Sequence, residues 1–176
     1  MKPLVLQSDF GYVDGAVSAM YGVAAGVSPE LRVHDITHNI PPYDIWEGSY
    51  RLAQVISYWP EGTVFVSVVD PGVGSDRLSV VARTSTGHYV ATPNNGTLTH
   101  IEKFFGIEEL REIDEKFNRR EGSAHSYTFH GRDIYAFTGA RLASGTITYE
   151  QVGPSLDVGE VVALPIAEPK REGHVL

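Results

Sequence analysis

The sequence predicts an α/β fold, a three-layer αβα sandwich about a mostly parallel central sheet. Three observations predict it. Short apolar runs alternate with stretches of helical spacing, as strands and covering helices do. The strongest strand, Thr63-Val64-Phe65-Val66-Ser67-Val68-Val69, is apolar at nearly every position, the mark of a strand buried on both faces. The chain of 176 residues, 42% hydrophobic and 20% charged, has ordinary globular composition and length for one such core.

Taken in order, Leu4-Val5-Leu6 is a buried strand ending at Ser8-Asp9-Phe10-Gly11, and Val13, Val17, Met20, Tyr21 and Ala24 then recur at helical spacing. Residues 31–36 make a second strand. The segment 44–58 carries Ile45, Ser49, Leu52 and Ile56 on one helical face, with Asp44 as its N-cap. After the strand at 63–69 come Asp70 and a glycine-rich turn, then strands at 78–84 and 89–91. Pro93-Asn94-Asn95-Gly96 is a turn signature before a helix whose buried side holds Leu98, Ile101, Phe104 and Phe105. Residues 118–126 are polar and without periodicity, which reads as a mobile loop. The run Phe129-His130-Gly131-Arg132-Asp133 leads into a helix bearing Ile134, Phe137, Thr138 and Leu142. Beyond Gly145 the pattern weakens, and Pro154, Pro165, Pro169 and the charged run from Lys170 read as a linker.

Composition narrows the function classes. Fourteen basic against 22 acidic side chains give a formal charge of −8, which opposes a phosphate backbone and argues against nucleic acid as partner. Cysteine is absent, so there is no disulfide framework, thiolate nucleophile or Cys-ligated zinc. The N-terminal apolar run is too short for a signal peptide, and no window approaches the roughly 18 apolar residues of a membrane span. The expected location is the cytoplasm.

Two carboxylates stand out by position. Asp9 and Asp70 each close an apolar strand and enter a glycine-containing loop, so adjacent parallel strands would bring both to one sheet edge. There a carboxylate can accept from a ribose diol or orient a His or Arg; the same position also suits a helix or turn cap. The loop Asp70-Pro71-Gly72-Val73-Gly74-Ser75-Asp76-Arg77 lacks the Lys-Ser/Thr of a P-loop and the third glycine of a dinucleotide fingerprint, and its glycines suit a tight turn. No Gly-x-Ser-x-Gly elbow occurs. His34 and His38 are spaced as two ligands on a helix, but on a strand they stand roughly 13 Å apart and cannot share an ion. His130 lies beside a glycine at a helix mouth, where a side chain can point at a ligand.

The set Ser8-Asp9-Phe10-Gly11, Asp70 to Arg77, Pro93-Asn94-Asn95-Gly96 and Phe129-His130-Gly131-Arg132-Asp133 resembles the S-adenosylmethionine hydrolases, or hydroxide adenosyltransferases, relatives of the fluorinase and chlorinase. Four motifs in family order cover residues 4 to about 160. The resemblance implies Asp70, Arg77 and His130 as the catalytic residues that activate water, Asp9 as the carboxylate on the ribose hydroxyls, Tyr43 as an aromatic against the nucleoside, and Phe129 with Gly131 lining the small pocket of the nucleophile. Halogenating relatives carry Tyr at the first position and lack the Arg and His, so the hydrolase branch is the nearer one. The implied reaction is attack of water or hydroxide on C5′ of S-adenosylmethionine, giving adenosine and L-methionine, with no cofactor and no metal. The resemblance also implies residues 1–160 as an N-terminal α/β catalytic domain, 161–176 as a linker toward a β-rich C-terminal domain, and a homotrimer whose site is shared between subunits. Two other classes fit single features: a nucleoside-binding module that keeps Asp9 without chemistry, and a metal-dependent hydrolase using Asp9, Asp14, His34 and His38.

Overall fold

The computed structural model describes residues 1–123 and 128–168. Seven strands form one sheet in the order β2-β1-β3-β5-β4-β6-β7. They are β1 (Leu4–Ser8), β2 (Val33–Thr37), β3 (Val64–Val68), β4 (Ser79–Thr84), β5 (Tyr89–Pro93), β6 (Ile107–Glu112) and β7 (Ser155–Leu156). β2, β1, β3 and β5 are mutually parallel; β4 runs against both β5 and β6, and β7 against β6, so five of the seven strands point one way. This is the αβα sandwich the sequence predicts, with an antiparallel flank.

Two hydrophobic clusters lie on opposite faces, as alternation along the strands dictates. Leu4, Leu6, Val64, Val66 and Val68 face α1 (Ala16–Val27) and α4 (Phe137–Ser144), where Met20, Ala24 and Ala140 meet them. Val5, Phe65, Val80 and Ala82 face α2 (Ile45–Val55) and α3 (Thr99–Phe105), against Leu52, Leu98 and Ile101. α4 approaches β3 so closely at Gly139 that a Cβ there would sit 2.5 Å from Val66 Cγ2.

Several expectations shift by local chemistry. α1 begins at Ala16 rather than near Val13, because Asp14 Oδ1 accepts from Ala16 N at 2.8 Å and leaves Val13 in the exposed loop before it. Asp44 caps α2 as expected, accepting from Glu47 N at 2.9 Å. Leu98 and Ile101 are buried, but Phe104 is exposed; its ring lies 6.1 Å from that of His100, at the end of a surface group with Trp46 and Tyr50. β6 was not legible: four of its six residues are charged, and Arg83 on β4 bridges Glu109 on β6 at 2.6 Å. The expected mobile loop is held in its described part, where Asn118 is buried with its Nδ2 on Val152 O at 2.8 Å and Arg120 N donates to Asp133 O at 2.9 Å; residues 124–126 lie outside the described residues. The segment 161–168 has no regular structure but is pinned, Val162 N to Asn94 Oδ1 at 2.9 Å and Leu164 N to Thr99 Oγ1 at 2.8 Å; the rest of the linker reading, 169–176, lies outside the described residues. Among the described residues no helix is long and apolar enough to cross a membrane.

Candidate active site

From β1 the chain passes through α1 to β2 on one side, then through α2 to β3 on the other. The order reverses between β1 and β3, and open α/β sheets bind ligands in the crevice that such a reversal leaves beyond the strand ends. β1 and β3 pair in parallel with Ser8 opposite Val68, so Asp9 and Asp70 emerge side by side at that edge. They share a cleft of about 270 Å³ with Phe10, Pro42, Tyr43, Val68, Val73, Thr128 and Gly131.

Asp70 and Arg77 close the glycine turn between β3 and β4. Arg77 Nε lies 3.0 and 3.1 Å from the two Asp70 oxygens, and Nη2 also donates to Oδ2. The pair is nearly dry, with side chains 5% and 10% exposed. Burial opposes the Arg77 charge, but the Asp70 hydrogen bonds and surrounding charges outweigh it and raise its pKa. Arg77 Nη1 donates to Ser79 Oγ at 2.9 Å, Ser79 pairs with the buried Tyr135 hydroxyl at 3.0 Å, and the guanidinium lies over the Tyr135 ring.

His130 stands on the far side of Arg77, whose Nη2 donates to Nδ1 at 2.9 Å. Arg77 therefore separates Asp70 from His130, and the order is carboxylate, guanidinium, imidazole. His130 is 4% exposed. Desolvation lowers its pKa, and the Arg77 charge lowers it further, so the ring is uncharged at neutral pH. It opens the π-helical turn Gly131–Ala136 that runs into α4, and such turns mark functional sites often. Gly131 is required there: a Cβ would meet Phe10 Cζ at 2.7 Å and Val68 Cγ1 at 3.2 Å.

Asp9 accepts from Tyr43 N through Oδ2 at 2.8 Å. Tyr43 holds φ at 67°, a left-handed conformation uncommon outside glycine and one that is retained at ligand clamps. Its ring is 70% exposed on the cleft. Phe129 and Gly131 together line an adjoining pocket of about 520 Å³ with Phe10, Asp14 and Arg132, the Phe129 ring beneath the Arg132 guanidinium at 4.8 Å.

The four residues of the metal reading are spent separately. Asp14 caps α1, Asp9 holds Tyr43, and the His34 ring packs on Trp59 at 5.2 Å. His38 is buried, with Nδ1 2.6 Å from Ser8 Oγ and Nε2 3.0 Å from Asp35 Oδ1. Among the described residues no group of three or more His, Asp or Glu is arranged to hold a metal ion. Sequence reasoning missed Ser79, Tyr135, Glu115 and Arg119, which surround the Asp70–Arg77–His130 chain. Its place at the head of the buried apolar run Val80-Val81-Ala82 could have flagged Ser79, but nothing local marks Glu115 or Arg119.

The chain is similar to the (R)-S-adenosyl-L-methionine hydrolase of Methanocaldococcus jannaschii, 39% identical over 79% of this chain and 52% of that protein. It is 37% identical to the Salinispora arenicola enzyme of the same name over 94% of this chain and 63% of the relative. A solved structure of a conserved Thermotoga maritima protein superposes with a TM-score of 0.89 at 32% identity, over 94% of this chain and 62% of that one. The chain thus spans between half and two thirds of the length of these relatives. The family model of the SAM hydroxide adenosyltransferase N-terminal domain matches residues 4–153, the stretch that carries the whole sheet except β7 together with every residue of the cleft, and the chain belongs to that family.

Proposed function

We propose that this chain hydrolyses S-adenosylmethionine by attack of water at C5′, giving adenosine and L-methionine. The observation that carries the reading is the dry Asp70–Arg77–His130 chain abutting a cleft in which Asp9 presents a second carboxylate. Asp9 has one oxygen on Tyr43 N, and its other oxygen accepts no hydrogen bond among the described residues, which suits a ribose hydroxyl. Tyr43 offers its exposed ring to the nucleoside, and Gly131, packed against Phe10 and Val68, lines the cleft wall with its bare backbone.

In the proposed step the water oxygen forms the bond to C5′, the C5′–S bond breaks, and its electron pair stays on sulfur as the neutral thioether of methionine. The water proton passes to the Asp70 carboxylate at the cleft and then to solvent. Asp70 is the member that lines the cleft, orients the water and faces its proton; Arg77 fixes Asp70; the uncharged His130 accepts from Arg77 Nη2 and holds that guanidinium in place. Positioned proton transfer of this kind contributes about 10²–10⁴-fold. A hydroxide-like nucleophile meeting a sulfonium loses charge toward the transition state, so a dry site favours the reaction over the separated ions. No further cofactor takes part. The site residues are Asp70, Arg77 and His130 for chemistry and Asp9, Tyr43, Phe129 and Gly131 for binding.

The same reading assigns residues 1–160 to an N-terminal catalytic domain followed by a linker, places the enzyme in the cytoplasm, and makes it a homotrimer with the site shared between subunits. The family model's description as an N-terminal domain supports the first of these, and the compartment and the trimer rest on the sequence and its resemblance.

The test is incubation with S-adenosylmethionine in ¹⁸O-labelled water. Adenosine labelled at its 5′ oxygen, accumulating over many turnovers, is expected. Depletion of substrate that stops at one equivalent per site identifies a nucleoside binder instead.

A further inference from the structure

We propose that Arg119, braced by Glu115, is a positioning residue of the site, closing the Nε2 edge of His130 opposite Arg77. The inference rests on the reading of Asp70, Arg77 and His130 as one unit. Arg119 Nη2 lies 3.3 Å from His130 Nε2 and 2.6 Å from Glu115 Oε2, and its side chain is only 10% exposed. Glu115 Oε1 in turn accepts from Ser79 Oγ at 3.4 Å, and Ser79 accepts from Arg77. The two guanidinium groups on either side of the imidazole therefore belong to one connected set.

The chemistry of the ring gives that arrangement a consequence. An uncharged imidazole has one acceptor nitrogen, and a guanidinium has donors alone. The shorter Arg77 contact takes the acceptor at Nδ1, so Arg119 stands at Nε2 as a fixed positive charge and not as a hydrogen-bond donor. A protonated ring would direct an N–H at each guanidinium, so the geometry selects the uncharged form.

Among the described residues, the charged groups that act on His130 are Arg77 and Asp70 from the β3–β4 turn and Glu115 and Arg119 from the segment after β6. Asp70 and Glu115 each sit on the guanidinium that touches the ring, which leaves the two cations nearest to it. Desolvation first and Arg77 next lower the His130 pKa, Glu115 raises it, and Arg119 lowers it by less than these.

The experiment follows imidazole titration in the 176-residue chain by long-range ¹H–¹⁵N NMR, with His88 and His100 as internal references of an intact fold. Arg119→Gln removes a like charge, so the His130 titration is expected to move up by about one pH unit. Arg119→Lys restores a cation and is expected to return it toward the parent value. Arg119→Met, which keeps the aliphatic stem, serves if Arg119→Gln does not fold. A His130 titration within about 0.2 of a unit of the parent in the neutral variants overturns the proposal. The acid limb of kcat/KM for S-adenosylmethionine is recorded in parallel. If the ring titration moves while turnover is absent or its acid limb stays fixed, the hydrolytic reading of His130 fails and the placement of Arg119 stands.

Discussion

Asp70, Arg77 and His130 touch in series, so removing any one takes a hydrogen-bond partner from its neighbour. Alanine at each position is expected to lower kcat by orders of magnitude with ligand affinity held within a few fold, and the double variants to lose little more than the singles, since residues acting as a unit are grossly non-additive. Steady-state kinetics of the six variants checks this. Gly131→Ala is expected to cost about 1–3 kcal/mol in urea unfolding and to weaken ligand binding, because the new methyl must push Phe10 and Val68 aside at the cleft wall. At this scale the sequence disclosed much of the site. Asp9 and Asp70 are marked by their place after apolar strands, His130 by its place beside a glycine at a helix mouth, and Arg77, Tyr43 and Gly131 by resemblance alone. That Arg77 stands between Asp70 and His130 was hidden, because the contact joins side chains 53 residues apart. The resemblance pairs Phe129 with Gly131; that the two share the pocket adjoining the Asp9–Asp70 cleft was not legible, since it depends on the π turn.

Elements were legible where one chemistry dominated them. β3 is buried on both faces and reads as an unbroken apolar run, and α2 has both its amphipathic face and its capping carboxylate. Asp44→Ala is accordingly expected to destabilise the fold by about 1 kcal/mol, seen as a lower urea midpoint with an unchanged slope. A change in slope would mean that the cap shapes the unfolded ensemble as well. β6 escaped because its strand character comes from its neighbours: Arg83 on β4 pairs with Glu108 and Glu109 across the ladder, and Tyr149 donates its hydroxyl to Val81 O and Glu109 O. The stretch after Gly145 escaped for a related reason. Its turns at Glu150–Val152 and Val158–Glu160 are too short to carry periodicity, and Asp157 with Glu160 closes the second by reciprocal caps.

For the whole molecule, acid should act in two stages. His130 and His100 have pKa values held below the ordinary value of 6.5 by burial and neighbouring cations, so the unfolded chain takes up their protons first. Their share of stability is complete above that value and is lost as pH falls below it. Asp133 follows. Burial alone would raise its pKa, but Arg132 and Arg120 hydrogen-bond its carboxylate and hold it below the ordinary range, so its stabilisation is complete above the ordinary carboxylate value and is lost as pH falls from there through the depressed one. Urea midpoints measured from pH 8 to 3 should fall first near pH 6.5, and His130→Gln should flatten that first fall. The seam of the site has a different consequence. Its members come from after β1, before α2, after β3, before β4 and the start of the π turn, so the cleft joins the parallel and antiparallel halves of the sheet through chain segments up to 121 residues apart, from Asp9 to His130. Loop closure over such separations is slow, and local helices gain nothing from it. During refolding, helical signal should return before the imidazole of His130 meets Arg77, and the ability to hold a nucleoside should be the last property the chain recovers.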